Sequence, residues 1–213
     1  MTLMTQTAGE RTAGAFRRLT GRLEIRMLVL AILLACVLSM LSPYFLTRSN
    51  IFNILDQSVV VGIVAVGMTF VILTGGIDLS VGSIAGLTGI ILGLAEQDTP
   101  PPLADPLSLE SGAGIGLISG LLIAYFSLAP FVVTLGMMAI GRSLAYILSG
   151  QTAISNIPSG MSDLVYTDIL GLPANVLLLC VLYLAAWGYL TYTKGGRTIY
   201  AVGSNKEAAR AAG

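Results

Sequence analysis

The chain has 213 residues, 55% hydrophobic and only 10% charged, against roughly 25% charged in a soluble domain. Eleven acidic residues balance eleven basic ones, so no net charge draws it to nucleic acid. With no histidine in the chain, Ser/His dyads, His-ligated zinc and histidine general bases are excluded together, and a mean hydropathy of +0.86 points to an all-α polytopic membrane protein.

A basic tail over 1–26 carries Arg11, Arg17, Arg18, Arg22 and Arg26 against Glu10 and Glu24. Phe16, Leu19 and Leu23 form a weak stripe that can lie on an anionic lipid surface; a disordered basic tail is the plainer alternative. Six apolar runs follow, at 27–46, 54–76, 79–95, 112–128, 131–149 and 174–192. Each approaches the roughly 20 residues that cross about 30 Å of hydrocarbon. Gly75, Gly76 and Asp78 part the second run from the third. Pro100, Pro101, Pro102 and Pro106 predict a loop, and Pro130 separates runs four and five. Cys36 and Cys180 both fall within apolar runs and read as small hydrophobes.

Charge sets the expected orientation. Lys194, Arg197, Lys206 and Arg210 face only Glu207 in the C-terminal segment, whereas 96–111 and 150–173 hold acidic residues and no basic ones. Six crossings then put both tails inside: N-in and C-in. The chain divides into the tail, a transmembrane domain of six spans over 27–192 and a cytoplasmic segment over 193–213.

Small residues recur at four-residue spacing, at Gly82 and Gly86, then Gly89 and Gly93, and at Gly112, Gly116, Gly120 and Ala124, which predicts close helix packing. Charges inside a membrane are costly. Asp56 reads as an interfacial helix start. Arg142 lies about 16 Å deep, with Asp56 and Asp78 as candidate partners. Asp78 follows a Gly75-Gly76 turn, where it or Ser80 can cap the next helix. Interrupted helices of this kind also mark translocation sites. Asp56 and Asp78 are about 33 Å apart along a helix, too far to share a proton as a protease dyad.

The run from Ala65 to Thr74, followed by Gly75-Gly76-Ile77-Asp78-Leu79-Ser80-Val81-Gly82-Ser83, resembles the bacterial simple-sugar ABC importer permeases. So do Pro130-Phe131-Val132-Val133-Thr134-Leu135-Gly136 and the stretch from Gly196 to Arg210. Related branched-chain amino-acid permeases usually lack the Gly-Gly-Ile-Asp-Leu-Ser run, which favours sugar-type cargo. Ser119 departs from the family's usual Asn, and Gly195 from its usual aromatic. Family members also continue with further spans beyond the equivalent of Gly213, so a chain ending there is expected to be truncated.

Glu207-Ala208-Ala209-Arg210-Ala211-Ala212-Gly213 is similar to the EAA-x-x-x-G motif of importer permeases. Asn205 can cap a short helix there, Glu207 and Arg210 suit its dipole, and Gly213 can end it. The resemblance implies a coupling helix that docks on a cytoplasmic ATPase. The ATPase-coupling residues are then Asn205, Glu207, Ala208, Ala209, Arg210 and Gly213. Candidate pathway or helix-break residues are Gly75, Gly76, Asp78, Ser80 and Arg142. The implied function is a permease subunit of an ATP-binding-cassette importer for a simple sugar, in the bacterial inner membrane. Its implied partners are the ATPase, a periplasmic or lipid-anchored binding protein, a second permease subunit, alike or different, and membrane lipid. No cofactor or metal is expected, and with no P-loop in the chain ATP hydrolysis falls to the partner. The alternatives are a secondary transporter or channel segment, or a branched-chain amino-acid type permease.

Overall fold

A computed structural model describes residues 23–154, 167–169 and 171–212. The amphipathic reading of the tail up to Arg22, most of the acidic 150–173 loop, and Gly213 lie outside them. Among the described residues the chain forms α1 (Leu23–Leu41), α2 (Arg48–Leu73), α3 (Val81–Asp98), α4 (Pro101–Tyr125) and α5 (Pro130–Leu148). A two-residue hairpin, β1 (Asp168–Ile169) with β2 (Leu172–Pro173), leads into α6 (Ala174–Tyr192), α7 (Lys194–Ser204) and α8 (Lys206–Ala211). Four helices, α2, α4, α5 and α6, are long and apolar enough to cross a membrane, and α1 and α3 contain shorter apolar helices. The exposed residues Leu178, Val181, Leu184 and Trp187 recur every three positions, an apolar stripe on α6 suited to lipid. This is an all-α, multi-pass membrane protein.

Contacts divide the chain into two units, one up to Ile54 and one from Leu55 onward. In the first, Asn50 Nδ2 donates to the Phe45 carbonyl at 2.8 Å and closes the turn between α1 and α2. The Arg48 guanidinium stacks 5.1 Å from the Phe52 ring centroid.

In the second unit, α3 packs against α4 and α5. The proline cluster is not the predicted loop. Pro100 is the N-cap of α4, and prolines occupy its first positions, where a helix leaves N–H groups unused and φ near −65° is already helical. The turn from α3 therefore shrinks to Thr99 and Pro100, and α4 begins eleven residues before the expected start of its span. Glu96, read as part of a solvated acidic loop, is only 4% exposed. Ser108 Oγ donates to the Thr88 carbonyl at 3.0 Å across this hairpin.

The glycine stripes pack less closely than their spacing predicts. A Cβ on Gly112 would meet Thr88 Cγ2 at 3.0 Å, but one on Gly82, Gly86, Gly89, Gly116 or Gly120 would meet nothing within 4 Å. The tight α3–α5 approach is instead at Gly141, whose added Cβ would lie 3.2 Å from Ser83 Oγ.

Helices α2 and α6 run parallel. Asn175 Nδ2 donates to Asp56 Oδ1, Leu179 Cδ2 would touch a Cβ on Gly62 at 2.7 Å, and the Phe70 and Tyr189 rings stand 6.0 Å apart. Asp56 is thus no helix start, because α2 begins eight residues earlier and carries it into a helix–helix contact. Polar pairs between membrane helices contribute about 0.6 kcal/mol on average and up to about 1.7. Asn175→Leu is expected to cost about that range, read as a lower unfolding midpoint in detergent; an unchanged midpoint would reduce the pair to a passive contact.

Candidate functional site

The site grows from the end of α2. Gly75 takes φ 78°, a conformation glycine adopts without steric cost. The Gly76 N–H donates to the Val71 carbonyl and the Gly75 N–H to the Ile72 carbonyl, both at 2.9 Å. These two bonds form a Schellman end and stop α2.

The chain then crosses to α3 through a second local device. Asp78 Oδ1 accepts the Ser80 N–H at 2.7 Å and the Ser80 hydroxyl at 2.6 Å. Ser80 occupies the N-cap position but makes no side-chain cap bond, because Asp78 engages its hydroxyl. Ser80 is fully buried, so Asp78 satisfies two groups that water does not reach. From α5, Thr134 Oγ1 donates to the Ile77 carbonyl at 3.2 Å, and Thr134 is 3% exposed.

A cavity of about 620 Å³ lies beside this break. Thr74 and Asp78 line it from the break, Ser119 and Gly120 from α4, Thr134 from α5 and Lys206 from α8. Beyond Gly112, the small-residue stripe of α4 (Gly116, Gly120 and Ala124) therefore lines open space rather than a helix contact. One carboxylate, one ammonium and three hydroxyls border an otherwise largely apolar wall, an arrangement suited to a small polar solute or to a closing movement.

Beside the cavity the last helices are held by caps. Thr193 Oγ1 accepts the Gly196 N–H at 3.0 Å and starts α7. Asn205 Oδ1 accepts the Ala208 N–H at 2.9 Å and starts α8, as its position before Glu207 predicts. Glu207 sits in the first turn of α8 and Arg210 in the last, each suited to the helix dipole. Glu207, Ala208 and Arg210 are exposed and Ala209 is half-buried.

The structure thus gathers Gly75, Gly76, Asp78 and Ser80 with Lys206 and the start of α8, joining two groups of residues that the sequence keeps apart. Arg142 does not join them. It lies about 12 Å along α5 from Thr134 and is exposed. It borders a smaller cavity of about 220 Å³ with Gly86, Ile90 and Tyr146. Neither Asp56 nor Asp78 pairs with it: Asp56 is turned to Asn175 and Asp78 to Ser80. Sequence reasoning missed Thr134, Ser119 and Asn175. Asn175, a lone amide opening an apolar run, was the available signal for the last.

The branched-chain amino acid transport system / permease component family matches residues 50–213. Ribose import permease protein RbsC of Escherichia coli (strain K12) is 38% identical over 196 residues, 90% of this chain and 61% of the relative. D-allose transport system permease protein AlsC of the same strain is 36% identical over 185 residues, 85% of this chain and 56% of the relative. Autoinducer 2 import system permease protein LsrD of Photorhabdus temperata is 33% identical over 193 residues, 87% of this chain and 58% of the relative. The chain spans about three-fifths of the length of these curated relatives. No solved structure matches it. With the family match running from Asn50, in the first turn of α2, to Gly213, the chain belongs to the branched-chain amino acid transport system / permease component family.

Proposed function

We propose that the chain is the transmembrane permease part of an ATP-binding-cassette importer for a simple sugar or related small polar solute. The observation that carries this reading is the Asn205-capped helix α8, which bears the EAA sequence and opens beside the helix-break cavity. Relatives named for ribose, allose and autoinducer 2 support sugar-type cargo.

In this reading α8 docks on a cytoplasmic ATPase through Glu207, Ala208, Ala209, Arg210 and Gly213. Closure of the ATPase on MgATP moves α8 as a rigid body. The helix break, held by Asp78 and Ser80, is the adjoining part of the pathway. A second permease subunit completes the pore, and a binding protein delivers solute from outside. The test is uptake by the full-length permease, expressed with its neighbouring ATPase and binding protein in bacteria that lack their own sugar importers. ATPase-dependent uptake of ribose or allose is expected; leucine uptake, or sugar uptake that persists without the ATPase, would overturn the reading.

The orientation proposed is six crossings with both ends inside, which puts the break, α7 and α8 at the cytoplasmic face. Cysteines at the exposed positions Gln97 and Ser204, with Cys36 and Cys180 replaced by alanine, report on it. Gln97→Cys is expected to react with an impermeant thiol reagent in intact cells, and Ser204→Cys only after permeabilisation. Labelling of Ser204→Cys from outside contradicts the orientation.

A further inference from the structure

Helix α7 holds three glycines at which an added Cβ would collide with a neighbour, and at two of them, Gly196 and Gly203, the neighbour is backbone rather than side chain. A Cβ on Gly196 would collide with the Tyr189 and Leu190 carbonyls, close to the end of α6. A Cβ on Gly203 would collide with the Leu73 carbonyl oxygen, the last of α2, and would lie 3.8 Å from Thr74 Cα. Seven residues separate the two glycines, so they fall on nearly one helix face, about 10 Å apart. The Schellman bonds at the end of α2 use the Val71 and Ile72 carbonyls and leave that of Leu73 directed at the Gly203 Cα–H, a weak contact of the Cα–H···O type. Helix α7 therefore lies with bare backbone across the ends of α2 and α6. It begins one residue after α6 and is followed, after Asn205 alone, by α8.

We propose that Gly203 is a positioning residue for transport: its contact with the Leu73 carbonyl passes movement of α8 directly to the Gly75–Gly76 break. This rests on the reading that α8 docks on the ATPase. A flexible side chain at position 203 would absorb a small displacement, whereas backbone against backbone transmits it. The same contact places α7 beside Thr74, so a push at α8 reaches the wall of the cavity without crossing the membrane helices. Val202, the neighbour of Gly203, lines that cavity together with Thr74 and Lys206.

Gly203→Ala tests the contact in the full-length permease assembled with its ATPase. Gly67→Ala and Gly188→Ala serve as controls, because a Cβ at either meets nothing within 4 Å. Gly203→Ala is expected to keep ATPase recovery and ATP hydrolysis within about twofold of the unsubstituted protein while solute uptake falls at least tenfold. Both controls keep all three. Uptake equal to the controls, or a loss of uptake no larger than the loss of hydrolysis, overturns the proposal. If Gly203→Ala does not accumulate in the membrane, a reducible bis-methanethiosulfonate tether between Thr74→Cys and Ser204→Cys, both exposed positions, with Cys36 and Cys180 replaced by alanine, decides the matter. Segments that move as one body are expected to keep uptake within about twofold when tethered. A tethered protein that retains its ATPase but loses uptake at least tenfold, and regains it on reduction, overturns the proposal, because the two segments then separate during transport. Failure of the unsubstituted permease to retain the ATPase overturns the docking reading and this inference with it, and is told apart because no substitution is needed to see it.

Discussion

Ala208→Trp is expected to separate the permease from its ATPase. Ala208 is exposed on α8, whereas Ala209 is half-buried, so a large ring at 208 leaves the packing within the chain undisturbed and meets only a docking partner. A short helix seated in a groove depends on close approach at its small residues, and an indole adds one of the largest side chains available. Recovery of the ATPase with the permease is expected to fall at least tenfold, equivalent to about 1.4 kcal/mol, and uptake to fall with it. Membrane insertion is expected to be unchanged, because α1 to α6 are untouched. Asn205→Ala gives a milder version of the same effect, since losing an N-cap costs about 1 kcal/mol of helix stability. Normal ATPase recovery and uptake in Ala208→Trp would remove α8 from the docking surface.

Asp78→Ala is the second substitution with a large expected effect. It removes the acceptor of both the N–H and the hydroxyl of the fully buried Ser80. An unsatisfied buried polar group costs about 1–3 kcal/mol, and here the cost falls on the turn that joins α2 to α3 beside the cavity. Uptake by the full-length permease is expected to drop at least tenfold. Asp78→Asn keeps an oxygen acceptor and is expected to retain more activity than Asp78→Ala. Asp56→Asn, at the α2–α6 contact and remote from the break, is expected to change uptake less than either Asp78 variant. Equal uptake in Asp78→Ala and Asp56→Asn would show that the Asp78 turn has no special part in transport.

The positions of several apolar helices were legible because apolar length is a one-dimensional property. The run at 174–192 coincides with α6, and those at 79–95 and 131–149 agree with α3 and α5 to within three residues. The start of α4 was not legible. Proline is read as a breaker, yet at the first helical turn it breaks nothing, and composition does not distinguish these two settings. The start of α2 was missed because Arg48, Asn50 and Asn53 lower local hydropathy, although they lie on a helix that ends in an apolar run. The Asn205 cap was readable because it is a contact three residues long. The pairings of Thr134 with Ile77 and of Asn175 with Asp56 span 57 and 119 residues, and local pattern holds no information about them. The glycine stripes show the converse limit. Spacing identifies a smooth face, but whether a helix or a cavity lies opposite is decided by the rest of the fold.

The central claim is that α8 is the surface on which the ATPase docks. The most direct measurement places a photoreactive benzoyl-phenylalanine at Glu207, an exposed position in the first turn of α8. Irradiation of membranes carrying the full-length permease and its ATPase is then followed by identification of the covalent product. The same group at Gln97, proposed to face the other side of the membrane, serves as the reference. An adduct joining permease to ATPase at 207 and none at 97 is the predicted result. An ATPase adduct at 97, or its absence at 207 in membranes that take up solute, would contradict the account.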